Sequence, residues 1–232
     1  MSKSFQTGAG NKVKIHVALL PLGVRTEPVN VTVTTSSGGI TNSSTSITVN
    51  ALSGAIAAGT PLLFSNGSAT PLKVYLALDA KAGDTTLTVD TTTAALTGTC
   101  TATYTAKLRL LGGTQSGANI GADVTESLVF EDPLGYADGV ITKQNWELPW
   151  TANLLSSDDA FRRVFYAATN AISGREVYVW QEDPPPSGYT TGDGMKGSCV
   201  VTSFQRSFPS EGIVTWQATF KGQGSPTITR YS

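Results

Sequence analysis

Residues 197–226 read GSCVVTSFQRSFPSEGIVTWQATFKGQGSP, and the pattern is that of a β-hairpin. Two runs, 198–208 and 213–221, flank Pro209-Ser210-Glu211-Gly212. Proline suits the second position of a type I turn, and glycine supplies a positive φ. In the second run Val214, Trp216, Ala218 and Phe220 alternate with Thr215, Gln217, Thr219 and Lys221. Successive strand side chains point to opposite faces, so this strand has one apolar and one polar face. It belongs to a sheet packed on one side against a core.

Upstream, residues 175–181 also alternate and stop at Pro184-Pro185-Pro186. Residues 183–197 read as a loop, because prolines remove donors and glycines surround them. Residues 140–150 predict another strand, ending at Pro149-Trp150, and residues 107–111 a shorter one. Between those two, the Gly/Ser/Asn-rich stretch 112–121 predicts a loop leading into residues 127–130. One helix is expected. Ser156 with Asp159 three residues on reads as an N-cap pair, and Asp158 and Asp159 suit the positive end of the helix dipole. Phe161, Val164, Phe165 and Ala168 form one apolar stripe, with Arg162, Arg163 and Asn170 off it. The helix should end near residues 170–174.

Residues 29–106 differ in kind. They hold five charged residues (Lys73, Asp79, Lys81, Asp84 and Asp90), and threonine fills about a quarter of the stretch. Chain this rich in β-branched residues and poor in helix formers predicts strand and turn. Thr45-Ser46-Ile47-Thr48-Val49-Asn50 recurs forty residues later as Thr85-Thr86-Leu87-Thr88-Val89-Asp90. Each copy follows an alternating apolar run and precedes an Ala/Leu/Ile patch, so a duplication is expected, its two three-stranded units closing as a small sandwich. The fold class is therefore mainly β: a sandwich or barrel domain of residues 1–28 and 107–232 with one flanking helix, carrying an inserted Thr-rich β-domain at 29–106.

Composition narrows the function. Sixteen basic residues balance seventeen acidic ones, a net charge of −1. A duplex-binding protein normally shows a basic excess, since phosphate contacts need Lys or Arg. No apolar run approaches the roughly 20 residues of a membrane span, and no signal-peptide pattern opens the chain. Cys100 and Cys199 have no metal-ligand spacing and read as small buried thiols. His16 is the single histidine and lacks the partners of a catalytic triad or a His-rich metal site. The carboxylate pairs Glu131-Asp132, Asp158-Asp159 and Glu182-Asp183 fit a turn, a helix start and a loop edge better than a glycosidase pair. No phosphate-cradling glycine motif is present. No catalytic residue, metal or cofactor is expected. Trp180 and Trp216 read as core, whereas Trp146 and Trp150, sharing one strand face, fit either a buried corner or a subunit interface. Exposed indoles would instead suit a carbohydrate-binding or adhesin-like module.

Four stretches resemble the major tail tube proteins of long-tailed bacteriophages: FEDPLGYADGVITKQNWELPWT (130–151), SSDDAFRRVFYAATN (156–170), VYVWQEDP (177–184), and the closing hairpin with its tail Phe220-Lys221-Gly222-Gln223-Gly224-Ser225-Pro226. The resemblance covers a little over half of the chain. It implies a virion protein of the tail, made in the host cytoplasm, that forms stacked homohexameric rings. It also implies tape measure and tail-end proteins as partners, and DNA that passes without specific binding. Contacts between stacked rings would then fall in residues 1–12, 112–126 and 222–232, and the candidates for contact between subunits are Phe5, Lys12, Gln115, Asn119, Asp123, Trp146, Trp150, Lys221 and Arg230. The inserted segment departs from the family pattern, in which decorations are usually appended at the C-terminus.

Overall fold

A computed structural model describes residues 13–36, 38–67, 70–127, 138–155 and 157–230. Phe5, Lys12, the Glu131-Asp132 pair and Ser156 lie outside the described residues. The first half of the chain contributes β1 (Lys14–Leu19), β2 (Val31–Thr34), β3 (Ser46–Thr48), β4 (Pro61–Phe64), β5 (Leu72–Tyr75), β6 (Thr86–Thr88) and β7 (Thr101–Tyr104). Then come β8 (Leu108–Arg109), β9 (Gly113–Ser116), β10 (Asn119–Ser127) and β11 (Asp138–Asn153), followed by helix α1 (Asp159–Thr169). The chain closes with β12 (Val177–Glu182), β13 (Gly194–Ser207), β14 (Thr215–Gly222) and β15 (Thr227–Thr229). The fold is mainly β with one α-helix among the described residues, as the sequence predicts.

Nine strands form one antiparallel sheet in the order β10-β11-β14-β13-β12-β1-β8, with β9 on β11 and β15 on β13. The 197–226 hairpin forms as read: β13 and β14 pair from Cys199↔Gly222 to Ser207↔Thr215, with a register shift between Val201 and Ser203. β13 begins at Gly194, inside the expected loop, because β12 and β15 flank its first residues. Residues 112–121 are largely strand rather than loop. β9 and β10 both pair with β11, from Trp150↔Ser116 and from Asn119↔Glu147, and a ready partner outweighs the weak β-propensity of Gly and Asn. Pro149 lies opposite the break between β9 and β10, where a missing ladder donor costs least.

β8 pairs with β1 at one end of the sheet, while β9, three residues further on, pairs with β11 near the other end. So short a link forces the sheet to curl until its ends approach. The curl encloses Ile15, Val17 and Leu19 of β1, Trp146, Leu148 and Trp150 of β11, and Trp216, Ala218 and Phe220 of β14, with Phe161 and Val164 of α1 closing over them. Phe161 meets Trp216 edge-on at 5.0 Å between ring centroids.

Two details of the helix differ from the expectation. Asp158, not Ser156, is the N-cap: one carboxylate oxygen accepts from Ala160 N at 2.9 Å, and the other accepts from Leu111 N at 3.1 Å, tying the β8–β9 link to the helix. The buried stripe is also rotated. Ala160, Phe161, Arg163, Val164 and Ala167 are buried, and Phe165 and Ala168 only partly so. Arg163, read as lying off the apolar stripe, is buried because backbone carbonyls receive its guanidinium.

The Thr-rich segment has its own buried cluster, drawn from residues 31–106. The forty-residue repeat is real, but its halves do not form separate three-stranded units. Each strand pair joins one half to the other: β2 with β7, β3 with β6, and β4 with β5. β3 and β6, the two copies of the motif, meet at Ile47↔Leu87. Hydrogen bonds recur at the same offset: Val49 N to Thr85 O mirrors Val89 N to Thr45 O, and Gly83 N to Leu52 O mirrors Ser43 N to Thr92 O. The halves interlock about a pseudo-twofold axis, so neither has its strand partners without the other.

Candidate assembly surface

Three groups of side chains fix the surfaces this chain presents. The first joins the Thr-rich segment to the large sheet. Asp79 Oδ1 lies 2.6 Å from Arg175 Nη1 and accepts from Ala58 N at 2.7 Å, while Oδ2 accepts from Leu22 N at 2.8 Å. Burial alone would raise the Asp79 pKa, but the two amides and the guanidinium outweigh it and hold the carboxyl below its ordinary value. Arg175 donates as well to Leu20 O and lies over the Tyr166 ring. That ring packs on Gly59, where a β-carbon would sit 2.6 Å away. Nearby, Arg163 donates to Thr105 O and Ala106 O, both at 2.7 Å, and stacks 5.1 Å from the Tyr104 ring centroid.

The second group is a pair of indoles seated on glycines. Trp146 fills the space over Gly222 and Gly197, and its Nε1 donates to Gly224 O at 2.7 Å. Trp150 lies against Gly113. The glycines of the tail Gly222-Gln223-Gly224 thus have a physical reason: one makes room for the ring, and the other offers it a carbonyl. The chain then turns back, and β15 pairs Thr227↔Lys196 through Thr229↔Gly194.

The third group is a sheet face. Segment 21–30 lies across Ala18, Leu20, Tyr178 and Trp180, where Glu27 accepts from Trp180 Nε1 at 2.7 Å and pairs with Lys196 at 2.6 Å. Over β13, β14 and β11 the same face is polar, and Ser203, Gln205, Gln217 and Lys221 are exposed. The sheet ends on β10, whose nine residues pair only with β11 among the described strands.

These positions sort the expected contact residues. Gln115, Asn119 and Asp123 are exposed on β9 and β10. Lys221 is exposed, 3.8 Å from Glu147, and Arg230 is exposed beside Lys14 and Asp183. Trp146 and Trp150 require a correction: at 3% and 5% exposure they lie inside this chain's own core, because adjacent glycines admit their rings. Trp180 and Trp216 are buried as expected. With all four indoles covered, the carbohydrate platform loses its stacking surface. Asp79, Arg163 and Arg175 were missed as structural centres. The signal for Asp79 was its isolation, one carboxylate in a long stretch nearly free of charge.

His16 is half-buried, with Nδ1 3.9 Å from Glu182. Burial lowers its pKa, against the raising influence of Glu182, so it is neutral at pH 7. Glu182 is also paired with Lys107. Cys100 and Cys199 are free and buried, and burial pushes the Cys199 thiol well up. Among the described residues no cluster of His, Cys, Asp or Glu could hold a metal ion, and no helix is long and apolar enough to cross a membrane.

The class defined by these features is a mainly antiparallel β-protein with a glycine-seated tryptophan pair and, among the described strands, β10 at the edge of its sheet. No family model and no curated protein matches the chain. Among solved structures it is similar to a chain in the virion of a native gene transfer agent particle, with 12% identity and a TM-score of 0.44 over 53% of this chain and 88% of that one. A chain in the tail of an empty gene transfer agent particle with C6 symmetry gives 11%, 0.44, 54% and 87%. About half of this chain lies outside either superposition.

Proposed function

We propose that this protein is a structural tail subunit of a phage-like particle, assembling into hexameric rings that stack as the tail tube through which the genome is delivered. The observation that carries this reading is the open edge of the large sheet. Among the described strands β10 has a partner on one side only along its nine residues, and isolated monomers seldom leave so long an edge uncovered. Pairing with the next copy in a closed ring satisfies it, and head-to-tail surfaces propagate a filament. The polar sheet face and balanced charge suit a scaffold better than a site of turnover. Residues 29–106 form a separate domain carried as an outer decoration on the body of residues 1–28 and 107–232. The partners are other copies, tape measure and tail-end proteins, and DNA in passage. The function needs no cofactor.

Negative-stain electron microscopy of the concentrated chain tests this. Six-fold rings or hollow tubes are expected. A strictly monomeric particle, even after seeding with preformed tail tips, would sink the reading.

A further inference from the structure

We propose that the segment leading into Val13 docks within its own chain: residues 9–12 continue β1 along β9 and close the seam of the curled sheet over Trp150. The place for it is a slot of about 520 Å³ lined by Val13, Leu110, Gly113, Gln115, Ser116 and Trp150. Two of these residues carry buried polar atoms with no partner among the described residues, Trp150 Nε1 and Ser116 Oγ. A buried donor without an acceptor is costly. Four residues earlier on β11, Trp146 has the same need and meets it, donating to Gly224 O at 2.7 Å while Gly222 makes room for its ring. Among the described strands β9 has a partner on one side only, β11, so its other side can take an added strand.

The occupant follows from register. β1 and β8 pair antiparallel with His16↔Arg109 and Val17↔Leu108, and Leu110 N donates to Ile15 O at 2.8 Å. Carrying that register past Val13 sets Lys12 opposite Gly113, Asn11 opposite Thr114, Gly10 opposite Gln115 and Ala9 opposite Ser116. The residue types fit those places. Ser116 itself stands opposite Trp150, and a side chain as small as Ala9 leaves the indole its space. Val13 and Ile15 pack on the core. Strand alternation puts Asn11 on that same inward face, where its amide oxygen is the acceptor the Trp150 N–H lacks. Gly10 and Lys12 turn outward. This use of residues 9–12 differs from the contact between stacked rings that the family resemblance implies, and it does not rest on the tube reading.

The test uses the full chain. In Gly10→Cys/Gln115→Cys the two thiols stand opposite each other on adjacent strands, a separation that a disulfide spans. The native cysteines are buried. After mild oxidation and denaturation without reductant, the linked product should run as one chain, and mass spectrometry should find positions 10 and 115 joined. Gly10→Cys/Gln217→Cys is the control, since exposed Gln217 lies on β14, two strands beyond β9; it should stay unlinked. Links between chains in the first variant would give the slot to a second copy and overturn the proposal. Equal linking in both variants, or none in either, would overturn it as well. A second readout is solvent exchange of the indole N–H groups followed by NMR. Asn11→Ala should speed exchange at Trp150 about tenfold, the weight of one ordinary hydrogen bond, and leave Trp146 unchanged. Unaltered exchange at Trp150 would remove Asn11 as its acceptor.

Discussion

Gly222 lies directly beneath the indole of Trp146, so close that a β-carbon at that position would overlap the ring. The contact joins β14 to β11 at the point where the tail leaves the sheet, and Gly224 then accepts the indole N–H. Gly222→Ala should therefore cost about 3 kcal/mol or more, the upper range for overpacking a rigid site. Gly117, with open space around its added β-carbon, serves as the control. Urea unfolding followed by tryptophan fluorescence measures both, and equal midpoints for the two variants would refute this account of the tail glycines.

Asp79 binds the Thr-rich segment to the body through one carboxylate and two donors, Leu22 N and Arg175, while Ala58 N of its own segment holds it in place. Asp79→Ala leaves Arg175, whose side chain is 7% exposed, without its ion partner, at a cost of about 3 kcal/mol. Its pKa is depressed in the folded state, so its contribution is full above the unfolded value and disappears as pH falls through the lower folded value. The stability gap between wild type and Asp79→Asn should accordingly narrow on acidification below about pH 4. A gap that stays constant from neutral pH to pH 2 would show that the charge is not what matters.

Arg163 is nearly fully buried and tethers α1 to the strand leaving the Thr-rich segment. Arg163→Lys keeps the charge but loses the planar fork that reaches Thr105 O and Ala106 O together. It should destabilise almost as much as Arg163→Met, each by about 2–4 kcal/mol. Hydrogen exchange at residues 104–110 should rise in both variants. Full rescue by lysine would mean that charge alone suffices.

The interlocked repeat makes Ile47 and Leu87 one packing unit. Either residue changed to Ala should cost about 2–4 kcal/mol. The double variant should fall short of the sum by about 1 kcal/mol, because both truncations open the same space. A strictly additive cycle would argue that the motif copies do not support one another.

His16 also loses its contribution on acidification, but because the fold favours its neutral form rather than a charged one. Its folded pKa lies below the ordinary histidine value, so the unfolded chain takes up a proton first as pH falls. Stability contributed by neutral His16 is full above about pH 6.5 and declines below it until the folded pKa is reached. His16→Phe should flatten that part of the stability profile. An unchanged profile between pH 7 and 5 would count against it.

Local pattern carried much of this fold. Alternation in 213–221 set the apolar face of β14, the turn chemistry at 209–212 set its pairing with β13, and the forty-residue echo of Ile47 in Leu87 announced the duplication. Each is readable because strand periodicity and turn preference act over a few neighbouring residues. What the sequence left open needed partners distant along the chain. Residues 112–121 became strand only because β11 offered an edge, and Arg163 turned inward only because the carbonyls of Thr105 and Ala106 stood there to receive it. The two repeats pair strand for strand with each other instead of closing separately, a choice between partners far apart along the chain. Trp146 and Trp150 went to the core rather than to an interface because glycines at 113, 197 and 222 leave space that forms only once four strands lie side by side. Local propensity chose the kinds of element; long-range packing and the demand that buried polar groups find partners chose where they meet.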